Sequence, residues 1–472
     1  MTKDQEIVQT ADYIDEEEIG KILAENRWAD AVKVREILAK AREQKGLDLA
    51  DAAALMPMSD PELLSELFQT AAKIKDEIYG KRLVLFAPLY ISNLCGNECL
   101  YCAFRARNKD VKRRALTQEE IARETKILIE QGHKRILLVA GESYPTQSGF
   151  QYVLDSIKTI YSVKSGPGEI RRVNANVAPL TRDEFAQLKD AGIGTYQLFQ
   201  ETYHRETYHR VHVAGRKTDY DWRVTAFDRA MRSGIDDCGI GVLFGLFNWN
   251  FEILAMLQHI RHLDNTFGVG PHTISVPRIE PAVGSNMAEH PPAAVSDIDF
   301  RKIVAILRLA VPYTGIIMST RETANLRREL FALGVSQISA GSRTNPGGYS
   351  EEGLQEDTEA QFSLGDQRNL DEVIRDVANL GYVPSFCTGC YRLGRTGKDF
   401  MDLAKPGEIR HHCDPNALST FQEYLSDYAS PETKAIGEKL IDETADKMEA
   451  GPREASKKMV AEVRAGKRDV YC

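Results

Sequence analysis

Six of the eight cysteines fall into two groups of three. The first is the run Cys95-Gly-Asn-Glu-Cys99-Leu-Tyr-Cys102, placed directly after the apolar stretch 82–89. Three clustered thiolates can hold three irons of a 4Fe-4S cube and leave the fourth iron open. A cluster that only transfers electrons takes four cysteines, so the missing ligand points to an iron kept for a substrate or cofactor. The rival is zinc on three thiolates and a distant fourth donor, although zinc pairs usually open as CxxC. The second group is Cys387-Thr-Gly-Cys390 followed, after 22 residues, by Cys413. His411 and His412 precede that last cysteine, so a Cys3His zinc site and a second 4Fe-4S cluster with one open iron both fit. Cys238 and Cys472 lack clustered partners; one reads as barrel packing and the other as a spare thiol.

The composition narrows the setting. The chain has 472 residues and a formal net charge of −9, which argues against general nucleic-acid binding because that needs a basic footprint. No apolar run approaches the length of a membrane span. The start, Met1-Thr-Lys-Asp-Gln-Glu, is polar and acidic and does not resemble a secretory signal. Grouped cysteines indicate metal ligation in a reducing compartment rather than a disulfide framework, so a cytoplasmic protein is expected.

The elements that must position the thiols can be read from periodicity. Residues 1–80 read as helical. Asp60-Pro61 starts a helix by capping and by proline at the first turn. Leu64, Leu67, Phe68, Ala71, Ile74 and Ile78 then mark one apolar face, and Gly80 stops it. Residues 31–42 form another amphipathic helix, and the acidic run 15–18 reads as a solvated face. From Arg82 the pattern changes to β-rich runs at 82–89, 135–140, 171–177, 194–200, 238–244, 272–278, 313–319 and 335–340, with amphipathic segments such as 118–131 and 301–310 between them. Eight strands alternating with helices give an α/β fold of the (β/α)8, TIM-barrel type over residues 81–345. Pro277 suggests that the sixth strand ends early or bulges. The stretch 341–349 is loop-forming, a polar acidic segment runs to about Asp371, and the tail from Asn416 to Arg468 is helical. Residues 346–472 are therefore expected to be a mostly helical extension wrapped on the barrel. No internal repeat is visible.

A barrel of this kind places its chemistry at the C-terminal ends of its strands. The first cysteine group follows the first strand. Gly141-Glu142 follows the second, Asn174 and Asn176 lie in the third, and Gln200-Glu201-Thr202 ends the fourth. The fifth, Gly239 to Gly245, carries small residues that permit close ligand approach. Arg278 and Glu280 end the sixth, and Ser319-Thr320-Arg321 the seventh. Polar residues after nearly every strand mark a site.

The CxxxCxxC pattern with Tyr101 before its last cysteine resembles the radical SAM superfamily, in which the open iron chelates S-adenosylmethionine. Gly141-Glu142 resembles the element that receives the methionine amino group in that superfamily. Together with the C-terminal CxxC-x22-C, the chain resembles the tyrosine lyase family of FeFe-hydrogenase maturation. The resemblance includes GVGPHTISVPR (268–278), FQETYHR (199–205), ISAGSRTNPGGY (338–349) and CTGCYRLGRTG (387–397). The related tyrosine lyase of thiazole biosynthesis lacks the second cysteine set, so Cys387, Cys390 and Cys413 decide between the two; an iron–sulfur scaffold without catalysis is a further alternative.

The resemblance implies two 4Fe-4S clusters, with S-adenosylmethionine on the first and an extra labile iron on the second. It implies a 5′-deoxyadenosyl radical that takes hydrogen from the amino group of L-tyrosine, and cleavage of the Cα–Cβ bond to p-cresol and dehydroglycine. The fragment then becomes carbon monoxide and cyanide, delivered to the labile iron, which also carries cysteine. Other hydrogenase maturation proteins and an electron donor are the implied partners. Tyr101, Gly141, Glu142, Asn174, Asn176, Gln200, Glu201 and Arg278 are the expected cofactor-binding residues. A lone histidine in a strand is commonly structural. The resemblance nevertheless assigns His272, at the start of the sixth strand, to the labile iron, because the second cluster caps the lower barrel mouth. Two metal centres joined by an internal channel follow. The tyrosine carboxylate calls for a bidentate cation. Arg321 is the choice, with Ser319 and Thr320 beside it, and Arg278 and Arg343 compete for that role.

Overall fold

The longest strand, β1 (Arg82–Ser92), begins the barrel and is buried along almost its whole length. Seven more follow in chain order: β2 (Arg135–Ala140), β3 (Arg172–Asn176), β4 (Tyr196–Glu201), β5 (Cys238–Val242), β6 (Thr273–Ser275), β7 (Gly315–Met318) and β8 (Gln337–Ser339). Each pairs in parallel with the next, and β8 pairs back onto β1 through Leu85 and Ile338, which closes the barrel. In this computed structural model the described residues are 2–9, 11–350, 359–405 and 408–472. Met1 and residues 351–358 of the expected acidic segment lie outside them. The crossovers are helical, as in Gln118–Glu130, Trp249–Phe267 and Asp297–Ala310. Thr117 starts the first of these with a reciprocal cap to Glu120.

All eight strands lie inside or beside the expected runs. β6 is the shortened one, ending at Ser275. The reason is Pro277, which has no N–H to give; its carbonyl still accepts from Phe244 N–H at 2.9 Å, so the chain keeps its direction without keeping the ladder.

The described residues before β1 are mostly helical, as expected. Asp60 accepts from the Glu62 and Leu63 N–H groups at the start of Pro61–Tyr79, and Gly80 ends that helix at φ 58°. Asp15 does more than decorate a solvated face: it caps the helix Glu16–Glu25, whose first turn carries three glutamates beside the positive end of the helix dipole. These helices pack on the outer ring of the barrel, against Trp249–Phe267 and Asp297–Ala310.

The C-terminal segment contributes helices and also a ninth strand, β9 (Val383–Ser385), absent from the periodicity reading. β9 pairs in parallel with Arg82–Val84 of β1, while β2 pairs with β1 further along, from Ala87. β9 therefore extends the barrel wall at its N-terminal end and delivers Cys387 there. The helix Arg410–Asp427 is fixed below the barrel by Glu423, which is buried and takes Arg171 at 2.6 Å and Lys134 at 2.8 Å. Among the described residues no helix is long and apolar enough to cross a membrane.

Barrels of this class are usually filled with bulky branched side chains. Here glycines stand where such side chains would be. A Cβ at Gly239 would lie 2.6 Å from Thr273 Oγ1, and one at Gly315 would lie 3.0 Å from Gln337 Nε2. The interior keeps a cavity at each mouth.

Candidate functional site

The upper cavity has about 1500 Å³ of empty space counted to its open mouth. Cys95, Cys99 and Cys102 line it. Their loop is held by a short antiparallel pairing of Glu98–Cys99 with His212–Ala214 and by Ala106 N–H donating to Asn97 O at 2.8 Å. Gly141 allows the end of β2 to approach: a Cβ there would lie 2.2 Å from Leu94 O, immediately before Cys95. Burial pushes all three thiols up, Cys102 to about 11. Buried thiols of this kind ionise when a metal supplies the positive charge. Cys102 Sγ already accepts from Phe104 N–H at 3.4 Å, a contact that suits a thiolate. The donor set therefore fits a cluster with one iron open.

Around the thiols runs a charged network. Glu142 accepts from Arg223 at 2.8 Å and from Asn97 Nδ2 at 2.7 Å. Burial alone would raise its carboxyl, but Arg223 and Lys217 hold it below the usual range. Glu201 takes Lys217 Nζ at 2.6 Å and sits at φ 72°, a left-handed conformation rare for a side-chain-bearing residue. Strain of this sort collects at functional sites. Tyr101 OH shares a 2.9 Å hydrogen bond with His212 Nε2. Gln361 lines the cavity, accepting from Tyr90 OH at 2.7 Å and reaching Cys102 Sγ at 3.8 Å.

Of the expected residues, Tyr101, Gly141, Glu142, Asn176, Glu201, Ser319, Thr320 and Arg321 line this cavity. Three do not. Asn174 accepts from Thr195 N–H at 3.1 Å and Arg172 Nε at 3.2 Å, lower in the bore. Gln200 is buried off the cavity, because strand side chains alternate and Phe199 and Glu201 take the inward positions. Arg278 is bound outward to Glu322 and Asp297. Arg321, in contrast, lies over the Phe362 ring at 3.2 Å, and among the described residues no carboxylate pairs with it. Asn97, Lys217 and Arg223 escaped the sequence reading. Only the basic pair Arg216-Lys217 hinted at them, and it stands in a crossover where charge is ordinary.

The lower cavity, about 690 Å³ by the same measure, brings together His272, Cys387, Cys390 and Cys413 with Arg82, Arg135 and Arg395. Arg135 Nη1 donates to Cys387 O at 2.7 Å, and Gly389 N–H donates to Cys387 Sγ at 3.4 Å. Cys390 and Cys413 are neighbours whose interaction pushes Cys390 down and Cys413 up. Burial pushes His272 down, toward the neutral imidazole that binds metals, and its Nδ1 is buried without a hydrogen-bond partner. Among the described residues no three donors converge on a single-ion point. A cube spreads its thiolates over separate irons, so three thiols on one cavity wall, flanked by arginines, fit such a cluster. His411 is exposed and lies 3.9 Å from Glu449, outside the cavity lining.

Comparison with known proteins identifies the family of the barrel. Residues 89–260 match the radical SAM superfamily, and residues 275–383 match the biotin and thiamin synthesis associated domain. The chain is 31% identical over 349 residues to the 2-iminoacetate synthase of Escherichia coli (strain K12), covering 74% of this chain and 89% of that protein. A solved structure of HydG, described as a maturase of the FeFe-hydrogenase, shares 49% identity with a TM-score of 0.94, over 98% of this chain and 100% of that one. The FeFe-hydrogenase maturase HydG from Carboxydothermus hydrogenoformans shares 41% identity with a TM-score of 0.83 over the same fractions, 98% and 100%.

Proposed function

This chain belongs to the HydG family of radical SAM FeFe-hydrogenase maturases, and from that membership we propose that it is a tyrosine lyase. It cleaves L-tyrosine between Cα and Cβ to p-cresol and dehydroglycine. It then yields carbon monoxide and cyanide on an iron that also carries cysteine, the unit handed to the hydrogenase by other maturation proteins. The observation that carries this reading is the lower cavity, where His272 meets the three cysteines that a thiazole-type lyase lacks.

When bound, the upper cluster supplies a 5′-deoxyadenosyl radical from S-adenosylmethionine, and the lower one supplies the site at which iron collects the two diatomic ligands. The residues do the rest. Cys95, Cys99 and Cys102 hold the first cluster, with Glu142, ionised by Arg223, facing the methionine amino group. Lys217 and Arg223 supply cations for the methionine carboxylate. Arg321 holds the tyrosine carboxylate, with Ser319 and Thr320 beside it. Gln361 and Phe362 line the cavity beside Cys102 and Arg321 and help to keep water from the reacting groups. Cys387, Cys390 and Cys413 hold the second cluster, and His272 offers a neutral nitrogen to the extra iron.

The test is anaerobic incubation of the reconstituted protein with reductant, S-adenosylmethionine and tyrosine. p-Cresol together with cyanide supports the full reading. p-Cresol without cyanide reduces it to the thiazole-type lyase, and absence of p-cresol leaves a scaffold.

A further inference from the structure

The upper cavity contains a second unpaired charge opposite in sign to Arg321. Glu280 follows β6 and Arg321 follows β7, adjacent strands, and both side chains line the cavity. Each senses the other's charge, yet they are not within the 4.0 Å of a salt bridge. Among the described residues neither has any ion-pair partner. The neighbouring charges are already committed: Arg278 binds Glu322 and Asp297, and Glu201 binds Lys217. A separated, unpaired carboxylate and guanidinium on one cavity wall match the two ends of an amino-acid zwitterion.

Resting on the tyrosine lyase reading, we infer that Glu280 receives the α-ammonium group of the substrate whose carboxylate Arg321 holds, and accepts one of its protons. The transfer is balanced: the ammonium N–H bond breaks, its proton joins a Glu280 oxygen, and carboxylate plus ammonium become carboxylic acid plus amine. Two charges disappear from a desolvated cavity, which lowers their burial cost. The nitrogen regains its lone pair, so that later removal of hydrogen from it leaves a neutral aminyl radical instead of a radical cation buried in the cavity. Burial and Glu322 raise the Glu280 carboxyl to about 7, against the opposing pull of Arg321 and Arg278. An acid near neutrality is matched to exchanging a proton with a bound amine.

Equilibrium binding to the cluster-loaded protein with S-adenosylmethionine but no reductant tests this without turnover. The probes are L-tyrosine and 3-(4-hydroxyphenyl)propanoate, which keeps the phenol and carboxylate and lacks the amine. Glu280→Gln is expected to weaken tyrosine binding about 10- to 100-fold and to change propanoate binding by no more than about two-fold. Glu280→Asp, with its charge kept, should recover part of the loss. Equal affinity of Glu280→Gln and wild type for tyrosine, or equal loss for both probes, overturns the assignment. If that happens while the wild type still makes p-cresol, the lyase reading stands and only the role of Glu280 falls. A wild type that binds no tyrosine removes both.

Discussion

Val84 faces the lower cavity, and Phe86, two residues further along the same strand, faces the upper one. The same step separates Arg135 from Leu137, Gly315 from Ile317 and Gln337 from Ser339. Two residues of strand span about 6.6 Å, so one layer of side chains divides the two cavities. The small residues Gly239 and Gly315 stand on the inner wall near this layer. In the proposed reaction, that single layer is what separates a fragment made above from the site below.

Replacing His272 by alanine separates the two halves of the proposed chemistry. The variant should form p-cresol within about two-fold of the wild-type rate, since His272 lies outside the upper cavity. It should lose the extra iron and with it the infrared bands of iron-bound carbon monoxide and cyanide. Normal bands would remove His272 from the account.

Arg321 is predicted to act on substrate affinity. Arg321→Lys keeps charge but loses the bidentate fork. It should raise KM for tyrosine about 10-fold or more, consistent with a lost charged hydrogen bond. Binding of S-adenosylmethionine, measured separately, should be unaffected.

Glu423 is a stability prediction with a pH sign. Burial would raise its carboxyl, but Arg171 and Lys134 hold it below the usual range. A carboxyl depressed by folding stabilises the fold above its unfolded value, about 4.3. That contribution is lost as the pH falls through the folded value. Glu423→Gln leaves buried Lys134 without its carboxylate and Arg171 with Asp469 alone, and should cost about 3–5 kcal/mol, measured by denaturant unfolding. The variant should also lose the acid-dependent part of the transition.

Gly141→Ala tests the packing that places the first cysteine. The added methyl would lie 2.2 Å from a backbone oxygen, which cannot rotate away as a side chain does. The variant should bind less iron at the upper site, seen as a weakened cluster spectrum that no longer responds to S-adenosylmethionine.

Sequence periodicity located the eight barrel strands because each is a short β-rich run between helical segments. It missed β9, whose three residues Val383-Pro384-Ser385 carry no alternation and contain a proline that usually argues against a strand. Cysteine spacing revealed both thiol groups, since ligand chemistry is written locally. Which side chains face the cavity was harder. Gln200 sits in the expected strand, yet the inward positions are Phe199 and Glu201, and one residue of register decides that. Asn174 shares the face of Asn176 but sits one step lower in the bore, where it bonds Thr195 and Arg172. Lys217 and Arg223 come from a crossover folded back over the cysteine loop, a long-range contact with no local signature. The route of Arg278 outward depends on Glu322 and Asp297, distant in sequence and unreadable from it.

Two distinct, incompletely ligated clusters are the core of the account. Iron and zinc analysis combined with Mössbauer and electron paramagnetic resonance spectroscopy of the anaerobically reconstituted protein, with and without the Cys387, Cys390 and Cys413 to alanine substitutions, addresses it most directly. The account predicts about eight cluster irons falling to about four in the substituted protein, and two signals of which only the surviving one shifts with S-adenosylmethionine. A single signal in the unsubstituted protein, or zinc lost on substitution, would contradict it.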